Sequence, residues 1–292
     1  MTVDVEDYFH VSAFADTIRR DEWDRMERRY EANTGRVLDV LAGAGVQATF
    51  FVLGWVAERS PALVRQIAGA GHEVACHGYS HQLVYRQTPD QFETETRLSK
   101  RILEDATGSP VRGYRAASYS ITRESLWALD VLLDAGFEYD SSIFPIRHDR
   151  YGIPDAPLAP GWLAAPSGRQ LVEFPLSVAQ WASARVPVAG GGYFRLFPYG
   201  LTLAGLRQLE RKGQSSVFYL HPWELDPEQP RVAAGWLSRF RHYNNLDKFE
   251  PRLRRLLLEF RYSTMRDVLA NIGLLGTGLH AAHRPSPAAG IA

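Results

Sequence analysis

Seven short runs of apolar and β-branched residues, each followed by a segment carrying helix start and stop signals, constrain this chain more than any other feature. The runs are Thr2 to Val5, Ala48 to Leu53, His72 to Cys76, Val111 to Arg115, Phe137 to Asp140, Leu171 to Phe174 and Ser216 to Leu220. Strand-length runs alternating with helical segments are the pattern of repeated βα units around a parallel sheet. Seven units predict an α/β fold wound into a barrel, and 292 residues with 45% hydrophobic content can bury one such core.

The punctuation between the runs supports this reading. Ser60-Pro61 supplies an N-cap with proline at the first helical position, Leu63, Val64 and Ile67 follow at helical spacing, and Gly71 ends the segment. Thr88-Pro89 repeats the device, with Gln91 completing a capping box and Gly108 marking the far end. Thr122 opens another helix through Leu126, Leu129 and Leu133, which Gly136 closes. From Pro145 to Gly168 five prolines forbid long regular structure, so this stretch reads as an elaborate surface loop. Gly190-Gly191-Gly192 lacks the setting of a phosphate loop and reads as a flexible or close-approach turn. Leu253, Leu256, Leu257 and Phe260 recur at helical spacing within a basic stretch. The expected organisation is a barrel over 1–225, an accessory helical extension over 226–275 packed on it, and a disordered tail over 276–292, where Gly, Ala, Pro and Ser dominate.

Charge narrows the partners. Lys plus Arg and Asp plus Glu number 33 each, so no global field favours nucleic acid or an anionic membrane. No apolar run approaches the roughly 18 residues of a spanning helix, and the N-terminus lacks the basic and apolar regions of a signal peptide. The expectation is a cytoplasmic protein without membrane insertion. Cys76 is the one cysteine, which excludes an internal disulfide; on a buried strand its role is packing.

Chemistry concentrates at the ends of the runs. Asp4, Glu6 and Asp7, then His77 and His81, then Arg115, Asp140 and His221 all fall at or just after a predicted strand's C-terminal end, the rim on which βα barrels build active sites. His77 and His81 would share one face if their segment turns helically, and both could reach one divalent ion, zinc by default, with cobalt, nickel or manganese as alternatives. A carboxylate from Asp4-Val5-Glu6-Asp7 would complete three protein ligands and leave positions open, as catalytic metals require. Gly78 stands where the zincin motif needs its glutamate, which excludes that class.

Five segments in order, Thr2 to Asp7, His77-Gly78-Tyr79-Ser80-His81, Gly113-Tyr114-Arg115, Tyr139-Asp140-Ser141-Ser142 and Leu220-His221-Pro222, resemble the motifs of the polysaccharide deacetylases of carbohydrate esterase family 4. Asp4 to His10 and the Tyr-, Asn- and Arg-rich region after Trp236 further resemble the subgroup encoded with exosortase-type exopolysaccharide systems. The resemblance implies the NodB-homology fold, a distorted (β/α)7 barrel, and metal-dependent removal of acetyl groups from an N-acetylated glycan. By the same resemblance Asp4 matches the general base and His221 the general acid. Arg115 would hold Asp4 ionised, and Asp140 would orient His221. One intervening residue separates Asp4 from the next acid, where most members have adjacent aspartates, so Glu6 and Asp7 both stand as the third metal ligand, with spacing favouring Glu6.

Tyr119, Trp162 and Trp223, with Trp181 and Tyr193, are candidates for binding sugar, because a flat aromatic offers apolar area with polarised edges. Two other functions fit the same residues: hydrolysis of a small cyclic amide or ureide, as in allantoinases, and a carbohydrate-binding module that has lost activity. The complete set of Asp4, His77, His81 and His221 argues against the latter.

Overall fold

A computed structural model of the chain describes residues 1–182 and 184–276. Among the described residues there are ten strands: β1 Thr2–Val5, β2 Thr49–Val52, β3 Glu73–Cys76, β4 Gly113–Tyr114, β5 Tyr139–Asp140, β6 Gly161–Ala164, β7 Gln170–Glu173, β8 Val178–Trp181, β9 Ala184–Pro187 and β10 Tyr219–Leu220. Eight of them form one sheet in the order β10-β1-β2-β3-β4-β5-β7-β6. The seven from β10 to β7 pair in parallel throughout, and they are the seven runs predicted from the sequence. The sheet curls into a half-barrel whose ends are not joined by a strand ladder. Around the seam the contacts are single ones: Val217 N–H donates to Ser177 Oγ at 2.7 Å and Tyr219 N–H to Ala189 O at 2.6 Å.

The helices are α1 Tyr30–Gly43, α2 Gly54–Arg59, α3 Pro61–Gly69, α4 Pro89–Thr107, α5 Ala128–Asp134, α6 Gly191–Leu196, α7 Tyr199–Arg211, α8 Trp236–Tyr243, α9 Leu246–Leu257 and α10 Met265–Asn271. The cap of α4 forms as predicted: Gln91 N–H donates to Thr88 Oγ1, Thr88 N–H donates to Gln91 Oε1, and Gly108 ends the helix at φ +66°. Thr122 opens a 3-10 turn over Arg123–Ser125, and α5 begins only at Ala128.

The stretch from 145 to 168 is not all loop. Gly161–Ala164 is free of proline and pairs antiparallel with β7, from Gly161 opposite Glu173 to Ala164 opposite Gln170. Pro166 and Gly168, which look like breakers in the sequence, make the turn of this hairpin, with Gly168 at φ +84° and its N–H bonded to Ala165 O. A second hairpin, β8–β9, was likewise not evident from the sequence. Gly190 is a close-approach position: at φ +120°, a Cβ there would lie 2.1 Å from Tyr219 O.

The extension is helical, as expected. Phe249, Leu253, Leu256 and Leu257 of α9 are buried in the same core cluster as Val3 and Val5 of β1, each such side chain contributing about 1.5–3 kcal/mol. No helix among the described residues is long and apolar enough to cross a membrane. Residues 277–292, where a tail was expected, lie outside the described residues.

Candidate active site

The C-terminal ends of β1 and β3 bring three ligand atoms together: Glu6, His77 and His81 each offer one, all within 4.8 Å of one another. The segment carrying the histidines is not helical. Gly78 at φ +74° and His81 at φ +51° fold it into a loop, which α2 and α4 clamp. Gly78 O accepts from Gly54 N–H and from Ser99 Oγ, both at 2.8 Å, and Ser80 Oγ donates to Glu95 at 2.7 Å. The two imidazoles come to 5.4 Å between ring centroids by this turn rather than by helical spacing.

Glu6, not Asp7, faces the histidines. Asp7 turns away to accept backbone N–H bonds from Tyr8 at 2.8 Å, Arg29 at 2.6 Å and Tyr30 at 2.8 Å, so it ties the chain after β1 to the start of α1. Burial pushes the Asp7 carboxyl up to about 6 against these three donors.

The cluster suits a divalent cation. His77 Nδ1 lies 2.9 Å from Arg115 O, which can only accept, so Nδ1 carries the proton and Nε2 keeps its lone pair. Burial pushes His77 down to about 4, keeping the ring neutral, as a ligand must be. Burial alone would raise Glu6, but His81 and His221 outweigh it and hold the carboxyl far below the ordinary range. Glu6 Oε2 lies 2.8 Å from His81 Nε2 yet accepts no hydrogen bond, and His81 Nδ1 is also buried without a partner. A buried carboxylate oxygen left without a donor beside two imidazoles is what a shared cation would satisfy.

Beside the cluster, Asp4 Oδ1 accepts from Arg115 Nη1 at 2.7 Å, with both side chains buried. Arg115 also donates to Thr2 Oγ1 at 2.9 Å and to Ser141 O and Oγ at 3.1 and 3.0 Å, and its guanidinium lies 4.1 Å over Phe51. Tyr119 O–H points at Asp4 Oδ2 at 3.4 Å. Tyr119 is therefore a partner of Asp4, held at φ +55° and only 5% exposed.

His221 closes the other side, with Nε2 3.4 Å from Glu6 Oε1 and Nδ1 3.1 Å from Glu224 Oε2. Burial pushes His221 down, but Glu6, Glu224 and Asp4 outweigh it and set the ring at about 9. Its orienting carboxylate is thus Glu224, not Asp140. Pro222 starts a 3-10 turn whose third residue, Glu224, also accepts His221 N–H at 3.0 Å, so the turn itself fixes the pair. Asp140 instead accepts from Ser142 Oγ at 2.5 Å and lies beside Glu173, its register partner on β7.

Of the aromatic candidates, Trp223 cannot offer a face to sugar. It is 4% exposed, with His221 stacked on it at 5.0 Å and His242 at 4.1 Å, and its Nε1–H donates to Glu6 Oε1 at 3.2 Å. Trp162 is 44% exposed but sits on β6, with five strands between it and β1. Trp181 packs against the core from β8, and Tyr193 bonds Tyr151 through their hydroxyls at 3.1 Å. Sequence reasoning missed Glu224, Glu173 and Arg195. Arg195 Nε donates to Glu224 Oε1 at 2.7 Å, and its Nη1 donates to the carbonyls of His242 and Asn244. The His-Pro-Trp-Glu capping pattern was the available signal for Glu224.

Residues 22–139 match the family model described as polysaccharide deacetylase. This part of the chain is similar to polysaccharide deacetylases. A second model, a domain of unknown function (DUF3473), matches residues 141–270, so Asp4 and Glu6 precede the deacetylase match and His221 lies within the second. A chitooligosaccharide deacetylase from Bradyrhizobium is 35% identical over 34% of this chain and 43% of its own length. A peptidoglycan deacetylase from Helicobacter pylori is 34% identical over 39% of this chain and 38% of its own. The chain therefore spans less than half the length of these relatives. The crystal structure of a Mycobacterium smegmatis protein described as a polysaccharide deacetylase superposes with a TM-score of 0.64 at 20% identity, covering 99% of this chain and 93% of that one, so the two share a fold.

Proposed function

We propose that this protein hydrolyses N-acetyl amides of a glycan, an exopolysaccharide or peptidoglycan-like polymer or its precursor. The observation that carries the reading is the convergence of Glu6, His77 and His81 between a buried Asp4–Arg115 pair and a His221–Glu224 pair. A divalent cation held by Glu6, His77 and His81, zinc by ligand type, would supply Lewis-acid polarisation of the amide carbonyl and acidify water. Asp4 accepts the proton of the attacking water, its carboxylate fixed by Arg115 and Tyr119. His221 Nε2 delivers a proton to the leaving amine nitrogen, and Glu224 at Nδ1 stabilises the imidazolium before it does so.

The test incubates zinc-loaded protein with chitooligosaccharides, N-acetylated exopolysaccharide and small cyclic ureides, reading acetate release and, by chromatography, ureide ring opening, with Asp4→Asn and His221→Ala alongside. Acetate from glycans that both variants lose supports the reading. Ring opening of a ureide without acetate from any glycan would overturn it.

A further inference from the structure

A cavity of about 440 Å³ adjoins the catalytic groups, lined among others by Arg150, Tyr151, Tyr193, Tyr219, Phe240 and Arg241. Its volume lies in the range of small-ligand sites. One aromatic ring separates it from the catalytic residues: the Tyr219 ring is 5.6 Å from that of His221 and 5.1 Å from that of Tyr119, whose hydroxyl points at Asp4. Ser12, also on its lining, bonds Ser118 at 2.9 Å, immediately before Tyr119. A molecule seated here lies one aromatic ring away from His221 and Tyr119.

The lining combines two chemistries. Tyr151 stacks at 3.8 Å on His148 and at 5.7 Å on Phe144, which holds its ring rigid, and the Tyr151 and Tyr193 hydroxyls put polar contacts on an aromatic wall, where a sugar's hydroxyls can bond. Arg150 and Arg241 add positive charge. The acid beside them, Asp149, is 65% exposed and lies 2.9 Å from His148 Nδ1, on a ring that burial holds towards its neutral form, so one exposed carboxylate stands beside two guanidiniums. Among the described residues no ion pair reaches Arg150 or Arg241, although the chain as a whole is neutral. Two guanidiniums without an ion-pair partner on an aromatic-walled cavity suit a planar or tetrahedral oxyanion, which a forked donor binds best.

We propose that this cavity is a subsite for an anionic group, a carboxylate or a phosphate, carried by the glycan next to the acetylated sugar. The proposal rests on the deacetylase reading for its link to catalysis, but its binding can be tested without turnover. Calorimetric titration of the full chain at low salt compares three N-acetylated probes: neutral triacetylchitotriose, a tetrasaccharide alternating N-acetylglucosamine with glucuronate, and UDP-N-acetylglucosamine. At least one anionic probe should bind ten times tighter than chitotriose, the uronate or the nucleotide sugar indicating which oxyanion is read. In Arg150→Gln/Arg241→Gln that advantage should shrink at least tenfold, whereas Arg239→Gln, an exposed arginine of α8 outside the lining, should keep it. Equal binding of all three probes, an advantage that survives the double variant, or an equal loss in Arg239→Gln overturns the subsite. Acetate release on the same probes reports separately on the deacetylase reading, because its complete absence sinks that reading and leaves the binding comparison standing.

Discussion

Arg115 is the buried residue whose replacement has the most calculable effect. Substituting methionine keeps the bulk against Phe51 but leaves the Asp4 carboxylate, 1% exposed, with only the long Tyr119 contact of 3.4 Å. Removing one partner of a buried pair costs about 3–5 kcal/mol, which at about 2–4 °C per kcal/mol for a chain of this size lowers the melting temperature by roughly 10 °C. Of the other acceptors of Arg115, Thr2 Oγ1 still donates to Phe218 O and Ser141 Oγ to Phe174 O, while the Ser141 carbonyl, which is uncharged, loses its Arg115 donor. The penalty therefore belongs mainly to Asp4. Adding Asp4→Asn to Arg115→Met should restore stability, with a coupling of about 2–3 kcal/mol in the double-mutant cycle. Urea unfolding of the four proteins in EDTA measures this without the added stabilisation of a bound cation. A cycle additive within about 0.5 kcal/mol, or an Arg115→Met loss below about 1 kcal/mol, would refute the idea that this pair is held together against burial.

Glu224→Gln should lower acetate release by about 100-fold or more, because it removes the carboxylate at His221 Nδ1; Asp140→Asn, which leaves that contact intact, should lower it clearly less, and the reverse order would return the orienting role to Asp140. Cys76 is fully buried and burial pushes its thiol up to about 11, so Ellman's reagent should find no thiol in the native protein and one in urea. The Asp140–Glu173 pair gives a pH dependence. Burial raises Asp140 from 3.8 to about 6 and raises Glu173 as well, so the folded chain retains protons that the unfolded chain releases above about pH 4. Stability from this pair is full below that pH and falls as pH rises through about 6. Glu173→Gln replaces the shared proton by an amide hydrogen, so its urea midpoint should decline less between pH 5 and 8 than that of the parent; equal declines would rule out a shared proton.

The parallel strands were legible because a strand covered on both faces reads as an unbroken apolar run, as Thr49–Val52 does. Caps were legible because their chemistry is local, Thr88 with Gln91 being the example. Strand β6 was not, since its pairing depends on a partner across a turn and its alternating half-buried and exposed residues show only a weak pattern among prolines. The candidate metal ligands illustrate the same division. Residue type and strand-end position marked Glu6 and Asp7 equally; what separates them is the hydrogen bonding of Asp7 to Arg29 and Tyr30, more than twenty residues on. The pairing of Asp140 with His221 followed the family resemblance, whereas the observed partner is set by the turn that begins immediately after His221.

Arg195 ties the C-terminal helices to the His221–Glu224 pair. Its guanidinium joins Glu224 to the carbonyls at the end of α8, and His242 of the same helix stacks on Trp223, which bonds Glu6, so a displacement of that helix reaches both pairs of contacts. On the proposed mechanism, cation affinity and acid strength therefore answer together to one segment far along the chain.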